Sequence, residues 1–119
     1  MLCIEWTGKA VGVNKRLETT RKGGMYPNPK YKAFKEELMW TIKKAWRKET
    51  ITDPVTVHVD LTTAHDIDNL LKPCFDAMES VGVIENDKQI MRLFVTKHPK
   101  KRSEMDRIRI TLMAVDFDC

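Results

Sequence analysis

Cysteine is scarce in this sequence: Cys3, Cys74 and Cys119, an odd number spread along the chain. Such spacing makes neither a disulfide framework nor a CxxC-type zinc site, and it fits a reducing compartment, most simply the cytoplasm. No apolar run approaches the ~18 residues of a membrane span, so no membrane partner is expected. The first twenty residues lack the apolar core of a signal peptide. Internal repeats and low-complexity stretches are missing too. What remains is a chain of 119 residues, 42% hydrophobic and 32% charged. That balance fits a single globular domain over residues 1–119, long enough to bury one core without metal or disulfide staples.

Acidic charge is also in short supply in one region. The chain carries 21 Lys+Arg against 17 Asp+Glu, a net charge of +4. Between Met1 and Lys35 stand Lys9, Lys15, Arg16, Arg21, Lys22, Lys30, Lys32 and Lys35, opposed only by Glu5 and Glu18. A second cluster, Lys97, Lys100, Lys101 and Arg102, lies near the other end. Any one of these is an ordinary solvated side chain. Two basic segments in expected loops point to a polyanion such as nucleic acid.

The hydrophobic pattern predicts an α+β fold. Leu2, Ile4 and Trp6 alternate with polar residues, as do Val55, Val57, Val59 and Leu61, then Met91, Leu93 and Val95, then Ile108, Ile110, Leu112 and Ala114. Period-two alternation predicts strands with one buried and one polar face. Tyr31, Phe34, Leu38, Ile42 and Trp46 recur at helical spacing, with Asn28 as N-cap and Pro29 at the first helical position. A second helix is expected from Pro73 to about Ser80, after an irregular turn over 68–72, with Gly82 as its stop. The expectation is a two-layer, four-stranded mixed sheet with two helices on one face, in the order β-α-β-α-β-β. Residues 8–29 read as one long basic loop, and residues 98–106 as a basic hairpin loop.

Directly after the clearest strand comes His65-Asp66-Ile67-Asp68-Asn69-Leu70-Leu71-Lys72-Pro73. One acid would suffice as a helix cap. Two acids at i and i+2 share a side only if the segment is extended before the helix begins. A third acid, Asp87, follows in Glu85-Asn86-Asp87. Oxygen-only carboxylate sites suit Mg²⁺ or Mn²⁺, and the missing Cys/His cluster argues against zinc. Spacing alone leaves capping and a metal site both open, with capping the simpler.

Residues 66–90 resemble the RusA family of Holliday junction resolvases. Asp66-Ile67-Asp68-Asn69-Leu70-Leu71-Lys72 matches its DxDNxxK pattern, and Gly82-Val83-Ile84-Glu85-Asn86-Asp87-Lys88-Gln89-Ile90 matches its return segment. The resemblance implies a homodimeric, Mg²⁺-dependent endonuclease that resolves four-way DNA junctions by paired incisions, bacterial and often phage- or prophage-encoded. It places the metal-associated aspartates on Asp66, Asp68 and Asp87 and the motif lysine on Lys72. His65 and Asn86 depart from common family residues, and His65 is expected to be exposed.

Phosphodiester hydrolysis needs an activated water, neutralised phosphate charge and a protonatable leaving oxygen. A carboxylate-held cation would serve the first two, and Lys72 would set a compact positive charge at the phosphate or leaving group. Asn14, Lys15, Arg16, Arg21 and Lys22 of the early loop, with Lys100, Lys101 and Arg102, are candidate DNA contacts. Other readings are a nuclease preferring flaps or forks, or a non-catalytic nucleic-acid-binding module. For Asp87 to meet Asp66 and Asp68, residues 82–86 must fold back along the second helix. The strand from about Gln89 is then expected to start beside the end of the 55–61 strand and run antiparallel to it.

Overall fold

A computed structural model describes residues 1–115; Cys119 lies outside the described residues. In chain order the elements are β1 (Leu2–Gly8), the short β2 (Leu17–Thr19) and β3 (Met25–Pro27), α1 (Pro29–Ala45), β4 (Val55–Thr62), α2 (Ile67–Val81), β5 (Ile90–His98) and β6 (Asp106–Ala114). The long strands form a four-stranded mixed sheet in the order β1-β6-β4-β5, as the alternation led us to expect. Leu2, Ile4 and Trp6 of β1, Val57, Val59 and Leu61 of β4 and Ile108, Ile110 and Leu112 of β6 are buried in the core that both helices share. The other face is polar. There Glu5 pairs with Arg107 at 3.0 Å and Arg109 at 3.6 Å.

Helix α1 starts where expected. The Asn28 side chain accepts a hydrogen bond from the Lys30 N–H at 2.9 Å, and Tyr31, Phe34, Leu38 and Ile42 go into the core. Each such burial is worth about 1.5–3 kcal/mol. Helix α2 begins earlier than expected, at Ile67 rather than Pro73. Pro73 leaves one intrahelical bond unmade, but it is buried beside Leu70, Cys74, Ala77 and Met78. Packing on that face offsets the missing bond. Gly82 ends the helix at φ +89, a left-handed conformation that favours glycine, and its N–H reaches the Met78 and Glu79 carbonyls.

Three expectations are corrected. Strand β5 runs parallel to β4, not antiparallel, with Ile90 opposite Val55 and His98 opposite Thr62. The return from α2 is caught early: Val83 and Ile84 are buried, Ile51 donates to the Val83 carbonyl at 2.9 Å, and Ile84 bridges Ile51. The chain is therefore delivered to the start of β4 and can only run alongside it. The segment after His98 is no hairpin, because β5 and β6 lie on opposite sides of β4. It crosses over the end of that strand. Finally, the 8–29 loop contains structure: a 3-10 turn at Val13–Lys15 and the hairpin β2–β3, with Glu18 opposite Tyr26. Six exposed residues carry too little apolar pattern to announce it.

Candidate active site

The acidic motif hangs from the end of β4 on a short chain of hydrogen bonds. Thr63 is buried; its N–H donates to the His98 carbonyl at 3.3 Å, and its hydroxyl accepts the His65 N–H at 3.1 Å. The His65 ring is not the exposed group expected. It is half-buried, and its Nε2 lies 3.0 Å from the Ala10 carbonyl. That nitrogen must carry the proton, since the carbonyl can only accept. The Ala10 N–H in turn donates to Oδ2 of Asp106 at 2.9 Å. Asp106 is buried, and the Lys100 ammonium stands 4.0 Å from its other oxygen. The start of β6, the loop after β1 and the residue before Asp66 are thereby linked.

Asp66 sits at the N-cap of α2 in extended backbone (φ −66, ψ 147), yet its side chain makes no capping bond. The Asn69 N–H bonds to the Asp66 carbonyl instead, at 3.2 Å. Asp68 lies in the first helical turn, so the extended stretch ends two residues before it, at Asp66. Both residues are exposed. Capping therefore does not occupy the Asp66 carboxylate, and the positive end of α2 favours both negative charges. The 3-10 turn beside them packs closely: a Cβ on Gly12 would come within 3.0 Å of Asn69 Cβ. Only glycine lets the basic loop approach the motif so nearly.

Lys72 follows one turn later, its ammonium 3.2 Å from Oδ1 of Asp76. Lys35 of α1 reaches the other Asp76 oxygen at 3.8 Å. The hydrogen bond to Asp76, then the Asp76 charge, hold the Lys72 pKa above its ordinary value, with smaller contributions from Asp87 and Glu79. Asp87 opens a 3-10 turn capped by Asn86, and its N–H donates to Oε1 of Glu79 at 2.6 Å. Glu79 lies 11 residues beyond Asp68, about 16 Å along the helix. The return segment is thus tied to α2 through Glu79, while the Asp87 charge acts on Lys72 further back along the helix.

Asp66 and Asp68 stand at the N-terminal end of α2, and the Asp87 N–H is tied to the side chain of Glu79, towards the helix's other end. Among the described residues no three His, Cys, Asp or Glu side chains gather closely enough to hold a metal ion. Carboxylate oxygens are the right donors for Mg²⁺ or Mn²⁺. Of the candidate DNA contacts, Asn14, Lys15, Arg16, Arg21, Lys22, Lys101 and Arg102 are exposed, with Arg21 and Lys22 at the hairpin tip. Lys100 is turned inward against Asp106 and the Glu104 carbonyl, because a buried carboxylate is costly without a nearby cation. Asp76 and Glu79 were legible from helical spacing to Lys72. Asp106 had no sequence signal, since the group it fastens is the Ala10 N–H, far along the chain.

The model of a family described as endodeoxyribonuclease RusA matches residues 8–113. The chain is also 30% identical, over 94 residues, to a crossover junction endodeoxyribonuclease RusA of Aquifex aeolicus (strain VF5), a match covering 75% of each chain.

Proposed function

Because the chain belongs to the RusA family of endodeoxyribonucleases, we propose that it resolves four-way DNA junctions by paired, Mg²⁺-dependent incisions as a homodimer. The observation that carries this reading is the separation of Asp87 from Asp66 and Asp68, together with the nature of edge strand β5. That strand leaves Met91 60%, Leu93 40% and Phe94 53% exposed. The other edge, β1, turns out Cys3, Glu5 and Thr7. A long apolar edge is a template for another strand.

Two copies of β5 paired antiparallel about Phe94 would put Ile90 beside His98 of the partner subunit. Within each chain His98 lies opposite Thr62, the end of β4, and strands are about 4.8 Å apart. Asp87 would then be delivered to the end of the molecule where Asp66 of the partner subunit and Asp68 of the partner subunit stand. Each site takes two aspartates from one chain and one from the other. The two-fold axis gives two sites, one for each strand to be cut.

Asp66, Asp68 and Asp87 would hold the cation, which supplies positive charge at the phosphate and activates water. Lys72, charged throughout the working pH range, swings from Asp76 towards the phosphate or leaving oxygen. The exposed Lys15, Arg16, Arg21, Lys22, Lys101 and Arg102 hold the DNA backbone, so binding weakens steeply with salt.

Labelled four-way junctions, forks, flaps and duplex are incubated with and without Mg²⁺ and the cuts mapped. Asp66→Asn, Asp68→Asn and Asp87→Asn should each abolish cleavage while junction binding persists. Mixing Asp68→Asn with Asp87→Asn should restore nicking of one strand, since a mixed dimer then holds one intact composite site. No restoration in mixed dimers would show that the three aspartates act within a single chain. Binding without any Mg²⁺-dependent product would sink the nuclease reading.

A further inference from the structure

Between α1, the β2–β3 hairpin and the end of α2 lies a groove of 440 Å³ whose floor includes Leu17, Tyr31 and Met39 and whose rim includes Arg16, Lys32 and Lys35. We infer that this groove takes one unstacked nucleotide of the bound DNA, its base on the apolar floor and its phosphate on the cationic rim. The inference rests on the junction-cleaving reading and adds to it a base-binding subsite. The volume falls within the roughly 300–1,000 Å³ of small-molecule sites. Three cations around an apolar floor match a nucleotide, which joins an anionic backbone to a flat, weakly polar base. Glu36 is the acid of the lining, and it leaves the rim net positive.

Position supports the same occupant. Lys35, on the rim, shares Asp76 with Lys72, so the groove opens one side chain away from the motif lysine. Arg16 continues directly from the basic 3-10 turn packed on Asn69. A strand lying across that turn towards Lys72 passes the mouth of the groove. At a branch point, where stacking is already interrupted, a base is most easily displaced into it.

The test is an NMR titration of the full ¹⁵N-labelled chain with the single strand dT5 and with the same backbone made abasic at its central position. We expect dT5 to move the amide signals of Leu17, Tyr31, Lys35 and Met39, and the abasic strand to bind about tenfold more weakly. Met39→Trp, which fills the groove, and Leu17→Ala, which removes an exposed part of the floor and leaves the core untouched, should each erase the difference between the two strands. Equal affinity for both strands in the parent chain would overturn the inference. So would a Leu17→Ala chain that still distinguishes them, or groove signals that follow protein concentration alone, which would seat a second copy there. Junction cleavage, assayed separately, decides the underlying reading: a chain that cuts junctions but ignores the base keeps the function and loses the subsite.

Discussion

Cys74 shows what enclosure does to a single side chain. It is fully buried on the inner face of α2, and loss of water pushes its thiol from 9.0 up to about 12. The unfolded chain releases that proton near 9. Between about 9 and 12 the native state therefore binds a proton that the unfolded state has lost, and stability falls as pH rises through that window. In a Cys119→Ser background we expect Cys3 to react rapidly with a thiol reagent at pH 8 and Cys74 only after denaturation. Two fast thiols would mean that α2 opens readily. Lys72 is shifted upward for a different reason, its bond to Asp76. Its charge persists to higher pH than an isolated lysine would allow. Lys72→Gln should slow single-turnover cleavage about a hundredfold with junction affinity little changed; a matching loss of affinity would make Lys72 a binding residue instead. The paired aspartates and Lys72 were visible as a pattern because they lie within seven residues of one another. His65 and Asp106 were not, because each acts on the backbone of Ala10, a group that every sequence possesses.

Elements were legible wherever burial imposes a period. The strands and α1 declare themselves through their apolar stripes. The direction of β5 does not, since a period-two pattern reads the same in parallel and antiparallel neighbours; only the trapping of Val83 and Ile84 against Ile51 settles it. The β2–β3 hairpin was hidden for the opposite reason, having nothing to bury. Asn28 holds it to α1: its Oδ1 caps the helix, its Nδ2 donates to the Lys15 carbonyl at 2.8 Å, and its N–H donates to the Arg16 carbonyl at 2.9 Å. Asn28→Ala should cost about 1–2 kcal/mol in denaturant melts. Asn28→Asp keeps the cap and loses the side-chain donor, so it should fall between parent and Ala. If Asp and Ala cost the same, the cap carries none of the stability.

At the scale of the whole molecule, the proposed dimer rests on the exposed apolar residues of the β5 edge. Leu93→Lys or Phe94→Lys should shift the chain to monomer in sedimentation and remove cleavage, while leaving its circular dichroism intact. A dimer that survives both would place the interface elsewhere. Sheet order has a further effect, on synthesis. Strand β6 follows both of its partners in the chain, yet it lies between β1 and β4 and pairs with both along their length. Until Ala114 has emerged, β1 has no neighbour in the sheet, and the buried faces of β1 and β4 lack the Ile108, Ile110 and Leu112 that pack between them. Closure of the core thus waits for pairings about a hundred residues apart, which slows folding and postpones it until β6 has been made. Asp106, at the start of the same strand, is also what fastens Ala10 and so His65. A nascent or truncated chain ending before residue 106 would carry all three motif aspartates and Lys72 without the sheet that aims them. The order of the strands thus makes the aim of the acidic motif depend on β6, a strand about forty residues further along the chain.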